Sequence, residues 1–262
     1  MMLASSTALS ALFLVFFSSG GADIVVRHDR DEARYHELGE RYGSSLALVR
    51  ARDEQGIIVA EGTVIGARHV LTAAHTARHV EAGDTVLVAG APHRVARAHV
   101  HPRFEGREHD VAVLVLADPI ADPVSLPLYR ADDELGRDIV VVGRGMTGTG
   151  LTGPTEDDGI LHGATNRIDE VGLEWIAFAF DPPESPRVTE LEGISGPGDS
   201  GGPAILEFHG TPYLVGVSSG QDDAATGGKP GRYGVVEYYT RVSHYGDWID
   251  AIVRGEHMDA AD

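Results

Sequence analysis

Short apolar runs separated by turn-forming residues recur along most of the chain. Glycine, proline, aspartate or arginine bounds each run, a pattern that predicts β-strands joined by turns and therefore an all-β protein. Glycine accounts for 33 of the 262 residues, which fits many turns. The runs of the first half are at residues 46–49, 57–60, 63–65, 70–72, 85–88, 95–100 and 111–116. Those of the second half are at residues 139–142, 160–167, 175–180, 204–206, 213–217 and 233–242.

A proline-rich segment at residues 118–129 separates the two sets of strands. Two sets of about six strands on either side of such a segment suggest two antiparallel six-stranded β-barrels, over about 44–120 and about 130–243. Apolar residues at helical spacing predict a C-terminal α-helix over about 244–254. Together these elements predict one domain over residues 44–262.

An apolar run lies near the start of the chain, at residues 8–17, and is followed by small residues at 18–22. The run is too short to span a bilayer. It fits a secretory signal peptide over residues 1–22, with cleavage near Ala22. No lysine or arginine precedes it, so a later translation start or an unprocessed N-terminal anchor is an alternative. We expect a secreted or periplasmic protein with no stable membrane insertion after cleavage.

A charged N-terminal arm, residues 23–43, follows the signal peptide. Within it, residues 29–42 place Tyr35, Leu38 and Tyr42 at helical spacing. This spacing predicts a short helix or ordered arm with one apolar stripe.

The composition excludes some classes of partner. The net charge of −19 argues against binding to nucleic acid or to an anionic membrane surface. Hydrophobic residues make up 42% of the chain, which is enough for a sizeable core.

Three short motifs carry the chemistry. The hexapeptide Gly-Asp-Ser-Gly-Gly-Pro at residues 198–203 has a serine between glycines, which leave the backbone N–H groups accessible to a bound carbonyl. Leu-Thr-Ala-Ala-His ends at His75, and His-Asp-Val-Ala-Val-Leu contains Asp110. With their order of His75, Asp110 and Ser200, these motifs resemble those of the chymotrypsin/trypsin family of serine proteases.

The resemblance implies a role for each of these residues. Ser200 would be the nucleophile, His75 its general base and Asp110 the group that orients the histidine. The N–H groups of Gly198 and Ser200 would form the oxyanion hole. The family fold implies an active site in the cleft between two barrels. The substrates would be proteins or peptides, and we expect no cofactor and no metal. The absence of cysteine indicates a bacterial-type member that is held together by packing alone.

Three other functions also fit parts of this sequence. Residues 198–202 match Gly-x-Ser-x-Gly, which would indicate a serine esterase if a helix followed the serine. A catalytically inactive binding protein could use the same scaffold. His75 and His79 are four residues apart and could share a metal, although no acidic or cysteine partner is placed near them.

The resemblance also indicates where a substrate side chain would bind. Ile194 stands six residues before the nucleophile, where trypsin-like members keep an aspartate, and Ser195 follows it as a candidate pocket residue. Glu237 falls where most relatives have glycine. Pointing inward, Glu237 would favour a basic substrate side chain, and pointing outward it would leave an apolar pocket.

Residues 214–220 are similar to the strand that lines the substrate cleft, with Gly220 at its end. By that match Ser218 would hydrogen-bond Asp110. Ser219 would replace the tryptophan that most relatives carry, and the cleft wall would be more open there.

Two further matches concern the surroundings of the nucleophile. Val-Gly-Arg-Gly at residues 142–145 resembles the Gly-aromatic-Gly turn of the family, with Arg144 in the aromatic position. In many relatives, a newly formed N-terminal isoleucine places its amino group beside the aspartate that precedes the nucleophile. Here these residues would be Ile24 and Asp199, so a mature chain that begins at Asp23 or Ile24 is expected.

Overall fold

The computed structural model describes residues 24–54 and 56–255. The expected signal peptide over residues 1–22 lies outside the described residues. The three α-helices are α1 (Glu32–Glu40), α2 (Ala74–Ala77) and α3 (Val242–Val253), and 3₁₀-helices cover Gly43–Ser45 and Ala224–Thr226. The strands are β1 (Val25–Val26), β2 (Leu46–Asp53), β3 (Gly56–Gly66), β4 (His69–Thr72), β5 (Thr85–Val88), β6 (Ala91–Val100), β7 (Ala112–Leu116), β8 (Asp138–Gly143), β9 (Thr147–Thr149), β10 (Gly153–Glu156), β11 (His162–Arg167), β12 (Glu170–Val171), β13 (Trp175–Ala179), β14 (Gly193–Ile194), β15 (Pro203–Phe208), β16 (Thr211–Asp222) and β17 (Val236–Arg241).

The first half is a closed antiparallel barrel with the strand order β2-β3-β4-β7-β6-β5. The apolar runs at 57–60 and 63–65 belong to one strand, β3, because Glu61 and Gly62 continue the pairing with β2. Glu61 is buried although it is charged. The interior of the barrel is a hydrophobic core of small and branched side chains, including Val49, Val64 and Leu114.

The second half is a curled antiparallel sheet with the order β11-β8-β15-β16-β17-β13-β12. It has seven strands where the sequence pattern indicated six, because the two-residue strand β12 is too short to show an apolar run. The prediction of an all-β fold with a C-terminal helix is confirmed. Helix α3 buries Tyr245, Ile249 and Ile252 against this half.

A buried ion pair fixes the start of α3. Glu134 accepts hydrogen bonds from Arg241 Nε at 2.9 Å, Arg241 Nη2 at 2.8 Å and Ser243 Oγ at 2.7 Å. Burial of Glu134 acts to raise its pKa, but these hydrogen bonds outweigh burial, so its pKa lies below the usual value. The fully buried carboxylate therefore remains charged and ties the segment between the halves to the last strand and helix.

The N-terminal arm packs on the second half. Strand β1 lies between β14, to which it is antiparallel, and β9, to which it is parallel. Helix α1 follows, with Asp31 as its N-cap. The stripe of Tyr35, Leu38 and Tyr42 is buried, as its helical spacing predicts.

Helix α1 lies very close to β11. A Cβ atom added at Gly39 would lie 2.7 Å from the backbone carbon of His162, and one added at Gly163 would lie 2.7 Å from the nitrogen of Gly39. Glycine at both positions lets the two backbones meet. None of the helices in the described part of the chain is both long and apolar enough to cross a membrane.

Candidate active site

His75 and Asp110 form a close hydrogen-bonded pair. His75 stands in the first turn of α2, directly after β4. Its backbone N–H donates to Asp110 Oδ1 at 2.8 Å, and its Nδ1 lies 2.7 Å from Asp110 Oδ2. Asp110 is 1% exposed, whereas the His75 side chain is 22% exposed. The carboxylate therefore orients an imidazole whose other nitrogen, Nε2, is left for chemistry at the surface.

Asp110 also contacts the second half. Ser219 Oγ donates to Asp110 Oδ2 at 2.6 Å, and Thr240 Oγ1 donates to the Asp110 carbonyl at 2.8 Å. The resemblance predicted that Ser218 would donate to the Asp110 carboxylate, and that prediction is wrong. The pairing of β16 with β17 shifts by one residue between Ser218 and Gly220, which turns Ser219 toward Asp110.

The loop that carries Ser200 packs against the segment that leads to His75. The Ser200 carbonyl accepts a hydrogen bond from the Glu61 N–H at 2.9 Å. Gly201 has a φ of +82°, and a Cβ there would lie 2.4 Å from the Glu61 carbonyl and 2.9 Å from the Ala73 nitrogen. The structure thus brings together the three segments named from the sequence, and glycine is required where they meet.

The residues before Ser200 form a type II β-turn. Asp199 N donates to the Gly196 carbonyl at 3.2 Å, and Gly198 has a φ of +102° at the third turn position, with Pro197 before it. The Pro197 carbonyl accepts from Met146 N at 3.0 Å. This contact fixes the peptide plane, so the Gly198 N–H points away from Met146.

Asp199 lies in a cradle made by two glycines. Its carboxylate is 1% exposed and accepts hydrogen bonds from Gly145 N at 2.5 Å and Gly196 N at 2.8 Å. A Cβ at Gly143 or Gly145 would lie 2.0 or 2.2 Å from atoms of that carboxyl group. The Gly-Arg-Gly turn is therefore explained by the volume of the Asp199 side chain.

Arg144 turns toward the first barrel. Its Nη1 donates to Glu61 Oε1 at 3.2 Å, so a buried carboxylate of β3 pairs with the turn that surrounds Asp199. Sequence reasoning missed Glu61, and the available signal was an acidic residue inside an apolar strand.

The family model described as Trypsin matches residues 41–249. The chain belongs to the trypsin family. It is therefore a hydrolase of the serine-protease type, and the expected chymotrypsin/trypsin resemblance is confirmed.

The esterase alternative conflicts with the local structure. Its motif needs a helix directly after the serine. In this trypsin-family chain, Ser200 is followed by a turn and then by strand β15.

His75 of α2 and His79, which lies two residues after α2, have separate partners. His75 pairs with Asp110, and His79 Nε2 accepts a hydrogen bond from Arg78 Nε at 2.9 Å.

Glu237 of this trypsin-family member points inward and is fully buried. Ser195 N donates to Glu237 Oε2 at 2.7 Å, and Ser195 Oγ donates to Glu237 Oε1. Gln221, which sequence reasoning missed, hydrogen-bonds Glu237 and donates from Nε2 to the Ser195 carbonyl at 2.6 Å. Burial raises the pKa of Glu237 to about 8.

The remaining candidate pocket residues have different surroundings. Ile194 pairs with Val25, and its side chain belongs to the larger hydrophobic core without reaching solvent. Ser218 is buried, with its Oγ 3.3 Å from that of Ser195. Both side chains are therefore buried, as Ser195 is.

A cleft of about 200 Å³ lies beside Ser219, with Trp175 and Glu174 among its lining residues. Gly220 follows Ser219, and a Cβ there would lie 3.3 Å from Arg107 Cζ. Arg107 Nη2 also donates to the Gln221 carbonyl at 3.0 Å. The cleft wall that was expected to be open near Ser219 is thus covered at Gly220 by Arg107 from the first half.

Substituting the two neighbouring serines separately will test the observed register. A hydrogen bond to a charged group contributes about 1.5–3 kcal/mol, so Ser219→Ala should lower kcat for a peptide substrate by about 10- to 100-fold. Ser218→Ala removes contacts with Ser195 and Tyr239, neither of which involves Asp110, and should change kcat by less than about threefold. Steady-state kinetics of both variants provide the measurement, and a larger loss in Ser218→Ala would contradict the register.

Proposed function

We propose that this protein is a serine endopeptidase that cleaves peptide bonds through an acyl-enzyme intermediate. The observation that carries the proposal is the hydrogen-bonded pair of His75 and Asp110 beside the docked loop of Ser200. A serine hydroxyl becomes an effective nucleophile when an oriented base takes its proton. The donated Nδ1–H of His75 holds the tautomer in which Nε2 can accept that proton.

The reaction has two halves. Ser200 Oγ attacks the scissile carbonyl carbon while His75 Nε2 takes the hydroxyl proton. The N–H groups of Gly198 and Ser200 stabilise the resulting oxyanion. His75 then gives the proton to the leaving amine as the C–N bond breaks, which leaves an ester on Ser200. Water, deprotonated by His75, hydrolyses this ester and restores the hydroxyl. Asp110 stabilises the imidazolium in both halves.

The proposal includes a preference for a basic side chain on the carbonyl side of the cleaved bond. Glu237 and Ser195 form a buried polar cluster, and Gln221 completes it by hydrogen-bonding both residues. A guanidinium group that entered from the cleft would exchange with Gln221 as the partner of the carboxylate. Arginine suits this exchange because it presents several donors to one carboxylate.

Maturation outside the cytoplasm completes the proposal. Ile24 is fully buried, and its carbonyl accepts a hydrogen bond from Thr147 Oγ1 at 3.0 Å. Strand β1 therefore seats Ile24 in the region of the second half that also contains Asp199. An amino group freed at Ile24 would bring a positive charge to this buried carboxylate. Export with removal of the N-terminal segment would then activate the enzyme.

The catalytic assignment predicts large losses in two variants. Ser200→Ala and His75→Ala should each lower kcat/KM by about 10⁴-fold or more, because the three groups act as a unit. Phenylmethylsulfonyl fluoride should label Ser200, and mass spectrometry of the labelled protein will locate the adduct. Ser195→Ala is the matched control and should still be labelled. Full activity in pure Ser200→Ala would exclude the mechanism.

The pH dependence of specificity tests Glu237. A carboxyl group with a pKa of about 8 is mostly neutral at pH 7 and mostly charged at pH 9. The ratio of kcat/KM for arginine over leucine at the cleaved position should therefore rise between these pH values. Arginine stays charged throughout, and the ratio cancels any titration common to both substrates.

Glu237→Gln should lower this ratio and flatten its pH dependence. Glu192 is a second buried carboxylate, held by Thr189, and Glu192→Gln should leave the ratio unchanged. An unchanged ratio in Glu237→Gln would show that this carboxylate does not select the substrate.

N-terminal sequencing of the secreted protein tests the maturation step, and we expect Ile24 or Asp23 as the first residue. A form extended by a few residues before Ile24 should lose most of its activity, because it cannot place an amino group near Asp199. Peptide-cleavage assays of both forms give the comparison. Equal activity would show that Asp199 needs no contribution from this terminus.

A further inference from the structure

A second cluster of titratable side chains lies away from the catalytic groups, between the N-terminal arm and the second half. Glu32 and His36 come from α1, one helical turn apart. Asp158 and His162 come from the segment between β10 and the start of β11. The ligand atoms of all four lie within 4.8 Å of one another. Among residues 24–54 and 56–255, it is the one group of three or more histidine, cysteine, aspartate or glutamate side chains that are close enough to hold one ion.

The distances are close to those of a metal centre. The Nε2 atoms of His36 and His162 are 2.7 Å apart, and Glu32 Oε1 lies 4.0 and 3.8 Å from them. Around a tetrahedral zinc ion with Zn–N bonds of 2.0–2.1 Å, two nitrogens lie about 3.3 Å apart. An outward movement of about 0.6 Å by the half-exposed His36 ring would make this space, since zinc would replace the hydrogen bond between the rings.

His162 already has the orientation of a metal ligand. Its Nδ1 lies 3.2 Å from the Ile160 carbonyl, which can only accept, so Nδ1 carries the proton. Nε2 is then the nitrogen that faces the cluster with its lone pair. A metal-binding histidine characteristically donates its other N–H to a carbonyl or carboxylate in this way.

The donor set selects the kind of metal. Two imidazoles with two carboxylates favour Zn²⁺ over Mg²⁺ or Ca²⁺, which prefer oxygen ligands alone. Four protein ligands also complete a structural zinc site without an open position for substrate. His162 is fully buried, whereas Glu32 and Asp158 are exposed, so an ion can enter from the surface.

We propose that Glu32, His36, Asp158 and His162 form a structural zinc site that fastens helix α1 to the segment before β11. The consequence concerns the arm as a whole. Helix α1 follows β1 after a short turn, so an ion that fixes α1 also holds β1 against β9 and β14. This role is independent of the proposed peptidase chemistry.

Isothermal titration calorimetry with zinc chloride tests the site. The full-length Ser200→Ala protein, freed of metal by a chelator, avoids self-digestion. We expect one zinc ion per chain with a Kd below about 10 μM. His36→Gln and Asp158→Asn, both changed at the rim of the cluster, should each raise Kd by at least about tenfold.

Matched controls separate this site from other ligands. Glu37→Gln changes an exposed carboxylate on the same helix, and His93→Gln changes a half-exposed histidine on β6. Both should keep the parental Kd within about twofold. Zinc bound at the catalytic His75 would be insensitive to His36→Gln, and that result would overturn the proposal.

Thermal unfolding gives a second readout. Zinc should raise the Tm of the parent and of both controls, and it should raise the Tm of His36→Gln much less. Co²⁺ in place of zinc should show the strong visible absorption of tetrahedral coordination in the parent, and His36→Gln should lose it. The absence of saturable binding, or equal stabilisation of the parent and His36→Gln, would refute the site.

Discussion

The contact between the loop that carries Ser200 and the first barrel is the constraint on which the rest of the candidate active site depends. The Ser200 carbonyl accepts from Glu61, and Gly201 lies where any side chain would strike the backbone of Glu61 or Ala73. Since Ala73 is two residues before His75, this close approach brings the Ser200 loop to the segment that carries His75. The hydrogen bond from Ser219 to Asp110 joins the halves from the other side. Each half therefore supplies only part of the site, and their docking completes it.

Buried ion pairs join distant segments of this chain, as disulfides do in many small proteins. The chain has no cysteine. Glu134 instead holds Arg241 through two hydrogen bonds, and Glu61 holds Arg144 across the two halves. Removal of one partner of a buried ion pair costs about 3–5 kcal/mol, because the other charge is left without compensation. Such pairs therefore favour one relative arrangement of the segments they join, without any covalent link.

The sequence predicts the longer strands of both halves and the three short motifs because each is a contiguous pattern. It misses features that depend on pairing across the chain. A shift in strand register turns Ser219 toward Asp110, and nothing in the local sequence reveals that shift. Strand β1 has two residues, too few to show a pattern, and it is defined by its pairing with β9 and β14. The proposed zinc ligands did leave a signal, since Glu32 precedes His36 by four residues and Asp158 precedes His162 by four. Neither the Glu32/His36 pair nor the Asp158/His162 pair indicates a metal site until the fold brings the two pairs together.

The position of β1 and α1 has a consequence for how the chain folds during synthesis. These elements come first among the described residues, yet their partners β9, β11 and β14 lie in the second half. The strands that close the first barrel leave the ribosome before any of these partners does. The first barrel can complete its ring of hydrogen bonds at that stage, whereas the arm has nothing to pair with. The half that carries Ser200 thus needs segments from both ends of the described part of the chain, so its pairing can be completed only after the strands of the first barrel have been made.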